Sequence, residues 1–218
     1  MNLKLLHIFL LSTAGTFLLC TPFINTVELA NGLVTGKMCW FHLAMLFFSV
    51  CVFFVMLTKK GTVIAFTFSD PLVLFFAGGV LITYKWNLNP EPEKLIFAGQ
   101  LVILWFLLRY VLTAYREFKF FFLFVLMFTG LIEAVWGMQQ LHGYSHSNHS
   151  LFRLTGSFFN PGPYSGYIAV ILPVCLWTAL RFQKGMHYFA WICVGAILIV
   201  LPLSLIHISE PTRLRCIS

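Results

Sequence analysis

Charged residues are scarce in this sequence, since Asp, Glu, Lys and Arg together make up 10% of its 218 residues. A soluble domain carries about 25% charged residues, because its surface faces water. Hydrophobic residues account for 60% of the chain, and the mean hydropathy is +0.89. These values exclude a soluble globular protein and make lipid the solvent for most of the chain.

The motifs of several large function classes are also missing from the sequence. No Lys/Arg run exceeds the pair Lys59-Lys60, so the net charge of +7 does not indicate nucleic-acid binding. The six cysteines form no CxxC pair and fall mostly in apolar runs, which supports neither a disulfide framework nor a zinc site. There is no P-loop, dinucleotide fingerprint, nucleophile elbow or pair of catalytic carboxylates. We therefore expect no cofactor and no site for a cytosolic nucleotide-sugar donor.

Long apolar runs are what the chain has instead. A bilayer core of about 30 Å requires about 20 helical residues. By that criterion the sequence predicts an all-α, polytopic transmembrane helical bundle of six or seven spans. The runs are 5–23, 39–57, 71–84, 95–112, 120–137, 164–180 and 188–202. The first is interpreted as a retained span, because no small-residue cleavage site follows it. The third is short, and is either a span kinked at Asp70-Pro71 or a re-entrant segment.

The distribution of basic residues predicts the orientation. With the N-terminus in the cytoplasm, eight Lys and Arg lie inside and four lie outside. The inside set is Lys4, Lys59, Lys60, Arg109, Arg116, Lys119, Arg181 and Lys184, and the outside set is Lys37, Lys85, Lys94 and Arg153. This topology places the long polar loop 138–163 on the outer face.

The final segment, 203–218, differs in character from the rest of the chain. A polar stretch follows the seventh apolar run, and the eleven residues from Leu203 to Arg213 resemble the conceptual translation of a common sequencing adapter. We therefore predict that 203–218 is not native and that 1–202 is the N-terminal part of a longer membrane-embedded domain. Accordingly, we assign no function to the residues of this tail.

The loop 138–163 carries the most distinctive segment, Arg153-Leu-Thr-Gly156-Ser-Phe-Phe-Asn160-Pro161-Gly-Pro, directly before an apolar helix. Gly156 permits a tight turn, and Pro161 suits the first position of the next helix. Asn160 and Ser165 are residue types that cap helix N-termini. Such an N-terminus attracts anions.

This segment resembles the signature of the O-antigen ligase and polymerase superfamily, most closely over 131–180. Members of that family are polytopic glycosyltransferases of the bacterial inner membrane, and they include protein O-oligosaccharyltransferases. They move a glycan from an undecaprenyl-diphosphate carrier to a lipid A core, another glycan or a protein at the periplasmic face. The resemblance implies that location, a cytoplasmic N-terminus, and membrane lipid, the lipid-linked glycan and one of these acceptors as partners.

Two departures from the family pattern limit what the resemblance implies. Gly162 and Pro163 replace the residues more often seen after Asn-Pro. The family's large periplasmic loop, which carries a His and a further Arg linked to catalysis, lies further towards the C-terminus than this sequence reaches. We therefore expect no catalytic residue within this chain.

The resemblance assigns roles to particular residues. Arg153 matches an arginine that interacts with the donor diphosphate, and a guanidinium can pair bidentately with phosphate. The alternative is an interfacial arginine that reaches lipid headgroups. Gly156, Asn160 and Pro161 are expected to shape the loop more than to touch substrate. Glu133, a carboxylate within a span, is expected either to orient Arg153 or to join helices through Gln139 or Trp136.

The three histidines of the loop, His142, His146 and His149, would share one face of a helix and could then bind a metal. Gly143 and the neighbouring serines disfavour a helix there, so no metal site is predicted. Two other functions remain open. A transporter or flippase for a lipid-linked or amphipathic solute would need charges in several helices and an internal repeat, and a structural membrane subunit would need no site.

Overall fold

A computed structural model of the chain describes residues 3–26, 32–59, 61–62, 64, 66–87 and 90–215, with side-chain surroundings up to Ser204. The regular structure of these residues is helical. The helices are α1 (Leu3–Leu19), α2 (Gly32–Thr58), α3 (Ser69–Trp86), α4 (Pro92–Ala114), α5 (Arg116–Leu141), α6 (Pro161–Arg181) and α7 (Gly185–Arg215), with a short 3-10 turn at Thr21–Phe23. The predicted all-α class is confirmed.

Five of these helices are long and apolar enough to cross a membrane: α2, α4, α5, α6 and the Gly185–Ser204 part of α7. Helix α1 is also apolar but has 17 residues, and α3 has 18. Each of the seven predicted apolar runs contributes a helix. The chain is therefore a multi-pass membrane protein, whose apolar helices are in contact with membrane lipid.

Apolar residues cover all sides of α2, but one face is buried against the protein and the other is exposed. The buried face repeats at helical spacing and consists of Ala44, Met45, Phe48, Cys51, Val52 and Val55. The exposed face is equally apolar and includes Leu43, Leu46, Phe47, Val50, Phe53 and Leu57. A helix that is apolar all round suits a lipid environment, because no face must be solvated by water.

The chain divides into two compact units. Unit 1 comprises Met1–Leu18 and Phe41–Lys119. Its core contains Leu11 of α1, Phe48 of α2 and Phe118, all with no exposed surface. Helix α3 packs against α4. Asp70 at the start of α3 is 1% exposed, and it accepts hydrogen bonds from Arg109 and from the indole nitrogen of Trp105 at 3.0 Å.

Unit 2 comprises Leu19–Trp40 and Phe120–Ser218. Helices α6 and α7 pack closely, and their core includes Ile168 and Ile197. Helix α5 presents Gly130 and Gly137 to α6. A methyl group at either position would collide with α6 side chains, with Ile171 at Gly130 and with Tyr164 at Gly137. Small residues at such positions let neighbouring membrane helices interlock.

Helix α7 continues through residue 203 to Arg215. The side chains that follow Ser204 lie outside the described residues.

Candidate functional site

The loop that carries the motif runs over 142–160, within unit 2. It is shorter than the predicted loop 138–163, because α5 continues to Leu141 and α6 already begins at Pro161. The extension of α5 brings Gln140 into its last turn, where the side chain is 4% exposed.

Gln140 is the main anchor of the loop. Its Oε1 atom accepts the backbone N–H groups of Gly156 at 2.7 Å and Thr155 at 3.0 Å. Its Nε2 atom donates to the carbonyl oxygens of Gly156 at 2.9 Å and His146 at 3.1 Å. One buried amide thus hydrogen-bonds four backbone groups of the loop, and those of Thr155 and Gly156 are themselves buried.

Asn148 and Ser147 hold the loop from its other side. The Nδ2 atom of Asn148 donates to the carbonyl oxygens of Gly156 at 3.2 Å and Phe158 at 3.1 Å. The hydroxyl of Ser147 donates to the carbonyl oxygen of Phe152 at 2.5 Å. These side chains bond to backbone groups that a helix or sheet would otherwise pair, and they thereby hold the loop in one conformation.

Glu133 lies about two turns before Gln140 on the same face of α5. It has no exposed surface, and its Oε2 atom accepts the backbone N–H of Ser157 at 3.0 Å. Its Oε1 atom has no hydrogen-bond partner within the described part of the chain. Glu133 therefore reaches the loop. Its hydrogen bond goes to the Ser157 backbone and not to Arg153, Gln139 or Trp136.

Gly156 occupies a position that requires glycine. Its φ is +55°, and an added Cβ would collide with the Oε2 atom of Glu133 and with the ring of Tyr164. The hydroxyl of Tyr164 donates to the backbone carbonyl of Glu133 at 3.1 Å, which fixes that ring. Gly156 thus shapes the loop both by its backbone conformation and by the close approach that it allows.

Lys37, at the start of α2, belongs to the same site, although the sequence indicated no role for it beyond topology. Its ammonium donates to the carbonyl oxygens of Pro22 and of Ile24, the latter at 3.0 Å, and lies 5.4 Å from the ring centroid of Phe158. Lys37 also interacts electrostatically with Glu133. One signal for such a residue was present in the sequence: a carboxylate inside a membrane span, such as Glu133, usually has a cation nearby.

The segment around Pro22 completes the support of the loop. The hydroxyl of Ser157 donates to the carbonyl oxygen of Pro22 at 2.6 Å, and Lys37 donates to the same oxygen. Ser157 is therefore held on both sides, through its N–H by Glu133 and through its hydroxyl by Pro22. This contact places the segment before α2 and the loop at one end of unit 2.

Helix α6 begins at the predicted proline but without the predicted caps. Pro161 stands in the first turn and is buried. Asn160 occupies the N-cap position with extended dihedral angles, yet its side chain makes no capping hydrogen bond. The hydroxyl of Ser165 donates to the carbonyl of Gly162 at 2.9 Å and does not cap an N–H group. The prediction of side-chain capping by Asn160 and Ser165 is wrong. Pro163, the third residue of the helix, has no N–H, so one of the two donors that an N-cap side chain usually bonds is missing.

Arg153 projects from a bend on the outside of the loop. Its neighbour Leu154 is completely buried, whereas Arg153 is exposed. Within the described ranges, no hydrogen bond or ion pair links the guanidinium to another residue. The structure therefore separates two roles, since buried polar side chains hold the backbone while the arginine faces outward.

The loop histidines do not share a helical face, because α5 ends before them. His142 lies near the carbonyl oxygen of Met138 with Nδ1 at 2.8 Å, and the Nδ1 atom of His149 accepts the N–H of Leu151 at 3.0 Å. The predicted absence of a helix is confirmed. The part of the chain that the structure describes contains no group of three or more His, Cys, Asp or Glu placed to hold a metal ion.

The arrangement places the exposed guanidinium of Arg153 on a backbone that neighbouring side chains hold in place. Comparison with known proteins adds no assignment: the chain matches no protein-family model, no curated protein and no solved structure.

Proposed function

We propose that the loop 142–160 is the donor-diphosphate site of an O-antigen ligase-like glycosyltransferase. Such an enzyme moves a glycan from undecaprenyl diphosphate to a lipid A core, a glycan or a protein at the periplasmic face of the bacterial inner membrane. In this proposal Arg153 binds the diphosphate, and none of the described residues is assigned the activation of the acceptor.

The observation that carries the proposal is the exposed Arg153 on a loop whose backbone is held by hydrogen bonds from Gln140 and Glu133. A guanidinium stays charged at any physiological pH, and its donors match two phosphate oxygens. Arg153 has no carboxylate partner within the described residues, so no ion pair must be broken before an anion binds. The free energy of the new hydrogen bonds then contributes directly to affinity.

The anchoring of the loop supports the same role. Gln140, Asn148 and Glu133 all bond to the backbone between Thr155 and Phe158. A loop that is ordered before binding loses little conformational entropy when the ligand arrives. If the loop were mobile before binding, the free energy needed to order it would reduce the affinity for the ligand.

The start of α6 supplies a second favourable element. This helix begins eight residues after Arg153, and Asn160 and Gly162 at its N-terminus are exposed. The positive end of a helix dipole favours a nearby phosphate. The proline-glycine sequence also leaves little side-chain bulk that would block the approach of a lipid headgroup.

Binding of undecaprenyl diphosphate to the chain in phosphatidylcholine nanodiscs tests the proposal. Arg153→Ala should weaken binding about tenfold or more, because a hydrogen bond to a charged group contributes about 1.5–3 kcal/mol. Arg153→Lys should retain part of the affinity, as a point charge without the bidentate geometry. Arg181→Ala, an exposed arginine at the other end of α6, is the matched control and should bind like the wild type.

Two results would overturn the proposal. One is equal affinity of wild type and Arg153→Ala, and the other is equal binding of undecaprenol, which lacks the diphosphate. In cells in which a full-length parent protein that contains this loop transfers the glycan, Arg153→Ala in that protein should abolish transfer without lowering its abundance in the membrane. Movement of the lipid-linked glycan across the bilayer without transfer to an acceptor would instead favour the transporter alternative.

A further inference from the structure

A second concentration of charge lies in unit 1, outside the loop described above. An open cavity of about 510 Å³ is formed where α1 begins, α2 ends and α4 passes into α5. Three cations line it, Lys4, Lys59 and Arg116, together with the single carboxylate of Glu117. The charged lining therefore carries a net charge of +2, which favours an anionic ligand.

The base of this cavity is a hydrogen-bonded network centred on His7, which is 2% exposed. Its Nδ1 atom lies 2.5 Å from the hydroxyl of Tyr115, and its Nε2 atom lies 2.8 Å from the hydroxyl of Thr58. The Thr58 hydroxyl donates to the carbonyl of Phe54 at 2.8 Å, so it accepts the Nε2–H of His7. The remaining nitrogen accepts the Tyr115 hydroxyl proton. This network is complete with a neutral His7, and it holds the cavity wall in place.

The cations around this wall are fixed to different degrees. Lys59 donates to the carbonyl of Ala114, and its ammonium lies 4.1 Å from the ring centroid of Tyr115. Lys4 pairs with Glu117 at 2.6 Å, at the exposed rim. Arg116 is exposed and makes no hydrogen bond or ion pair that involves another described residue. Arg116 is thus the cation with most donors to spare.

Helix α5 begins at Arg116, so its N-terminal end also borders the cavity. This end carries a partial positive charge, which favours an anion nearby. The ends of α2 and α4 contribute carbonyl groups, and Lys59 caps one of them. The cavity therefore offers donors from a guanidinium, an ammonium and a helix N-terminus within one space.

We propose that this cavity binds a phosphate group, carried either by the headgroup of an anionic lipid or by a soluble phosphate. Arg116 and Lys59 bind the phosphate oxygens, and Leu3, which is 49% exposed at the rim, contacts the apolar part of a lipid. This proposal does not rest on the proposed function, because it concerns residues of unit 1 alone.

The experiment measures the affinity of the purified chain in detergent for phosphatidylglycerol, phosphatidylcholine and inorganic pyrophosphate, by native mass spectrometry and calorimetry. The wild type should bind phosphatidylglycerol more tightly than phosphatidylcholine if a lipid is the ligand, and should bind pyrophosphate if a soluble phosphate is. In either case Arg116→Gln should weaken binding about tenfold, and Arg116→Lys should retain most of it. Lys85→Gln, an exposed cation elsewhere in unit 1, is the control and should leave binding unchanged.

Two outcomes would refute the site. In one, wild type binds both lipids equally and does not bind pyrophosphate. In the other, Arg116→Gln binds like the wild type, which would leave the basic residues as determinants of membrane orientation only. Size-exclusion behaviour and the thermal midpoint show whether each variant is folded. If Arg116→Gln does not fold, Lys59→Gln, at the second proposed phosphate ligand, carries the same comparison.

Discussion

Glu133 and Ser157 are joined by a buried hydrogen bond of 3.0 Å, from the backbone N–H of the serine to the carboxylate of the glutamate. Glu133 lies within the apolar helix α5, whereas Ser157 lies in the loop that follows it. The bond therefore ties the conformation of the polar loop to a carboxylate inside a membrane span. Gln140, about two helical turns further along α5, accepts the backbone N–H of Gly156 in the same loop.

Two replacements of Glu133 should distinguish the effect of its hydrogen bond on stability from the effect of its charge. Glu133→Leu should lower the free energy of unfolding by about 1–3 kcal/mol, because the Ser157 N–H is left buried without a partner. Glu133→Gln keeps an acceptor oxygen and should cost less. Thermal unfolding in nanodiscs measures both, with the exposed Glu93→Gln of α4 as a control that should be neutral. Equal losses for the Leu and Gln variants would show that the hydrogen bond is unimportant.

Gly156→Ala should be strongly destabilising. The alanine would have to adopt a φ of +55°, and its Cβ would meet the Glu133 carboxylate and the Tyr164 ring. Strain of this kind costs about 1–3 kcal/mol even before the collision is included. Gly162→Ala is the matched control, since a Cβ there meets nothing within 4 Å. Unfolding midpoints that fall equally for the two variants would contradict the geometry.

Gln140→Leu should loosen the loop without unfolding the helices. It leaves the N–H groups of Thr155 and Gly156 without their acceptor, so the loop should open and become a substrate for proteases. Limited proteolysis of the protein in nanodiscs, followed by mass spectrometry, should show faster cleavage within 142–160. Gln139→Leu changes an exposed side chain on the same turn and serves as control. Cleavage at the wild-type rate in Gln140→Leu would count against the anchoring role.

Asp70 should make the stability of unit 1 dependent on pH. The hydrogen bond from Arg109, followed by that from the Thr67 backbone, holds the pKa of this carboxyl well below its usual range. A lowered folded-state pKa stabilises the protein fully above the unfolded-state pKa of about 4, and this stabilisation decreases as the pH falls further. The difference in unfolding midpoint between wild type and Asp70→Asn should be constant from about pH 7 to pH 5 and shrink below about pH 4. A difference that stays constant at low pH would show that the pKa is not lowered.

The helices were predictable because the bilayer sets their length. Each apolar run of the sequence lies in or overlaps a helix, including the short run before Tyr84. The ends were less predictable. The polar residues Gln139 and Gln140 resembled the start of a loop, but they continue α5, because the loop backbone itself supplies partners for the Gln140 side chain.

The site was only partly predictable from sequence. Gly156 and Pro161 have the structural positions that their residue types predicted, whereas Asn160 lacks its capping bond. Gln140 lies seven residues after Glu133, so both side chains fall on the same face of α5. The sequence alone shows this spacing, but it points to Gln140 only if Glu133 is already assumed to contact the loop. The contribution of Lys37 could not be found this way, since only the fold brings it to the Pro22 carbonyl.

Most partners of the loop precede it in the sequence, and this order matters for folding during synthesis. Beyond the loop itself, its described residues bond to groups translated earlier and to Tyr164 at the start of the next helix. The earlier groups belong to Pro22, Glu133, Met138, Gln139 and Gln140. Once the ribosome has extruded α6, each of these groups has been delivered to the membrane. The loop can therefore adopt its structure during synthesis, and chimaeras that exchange the polypeptide after α6 should inherit it intact.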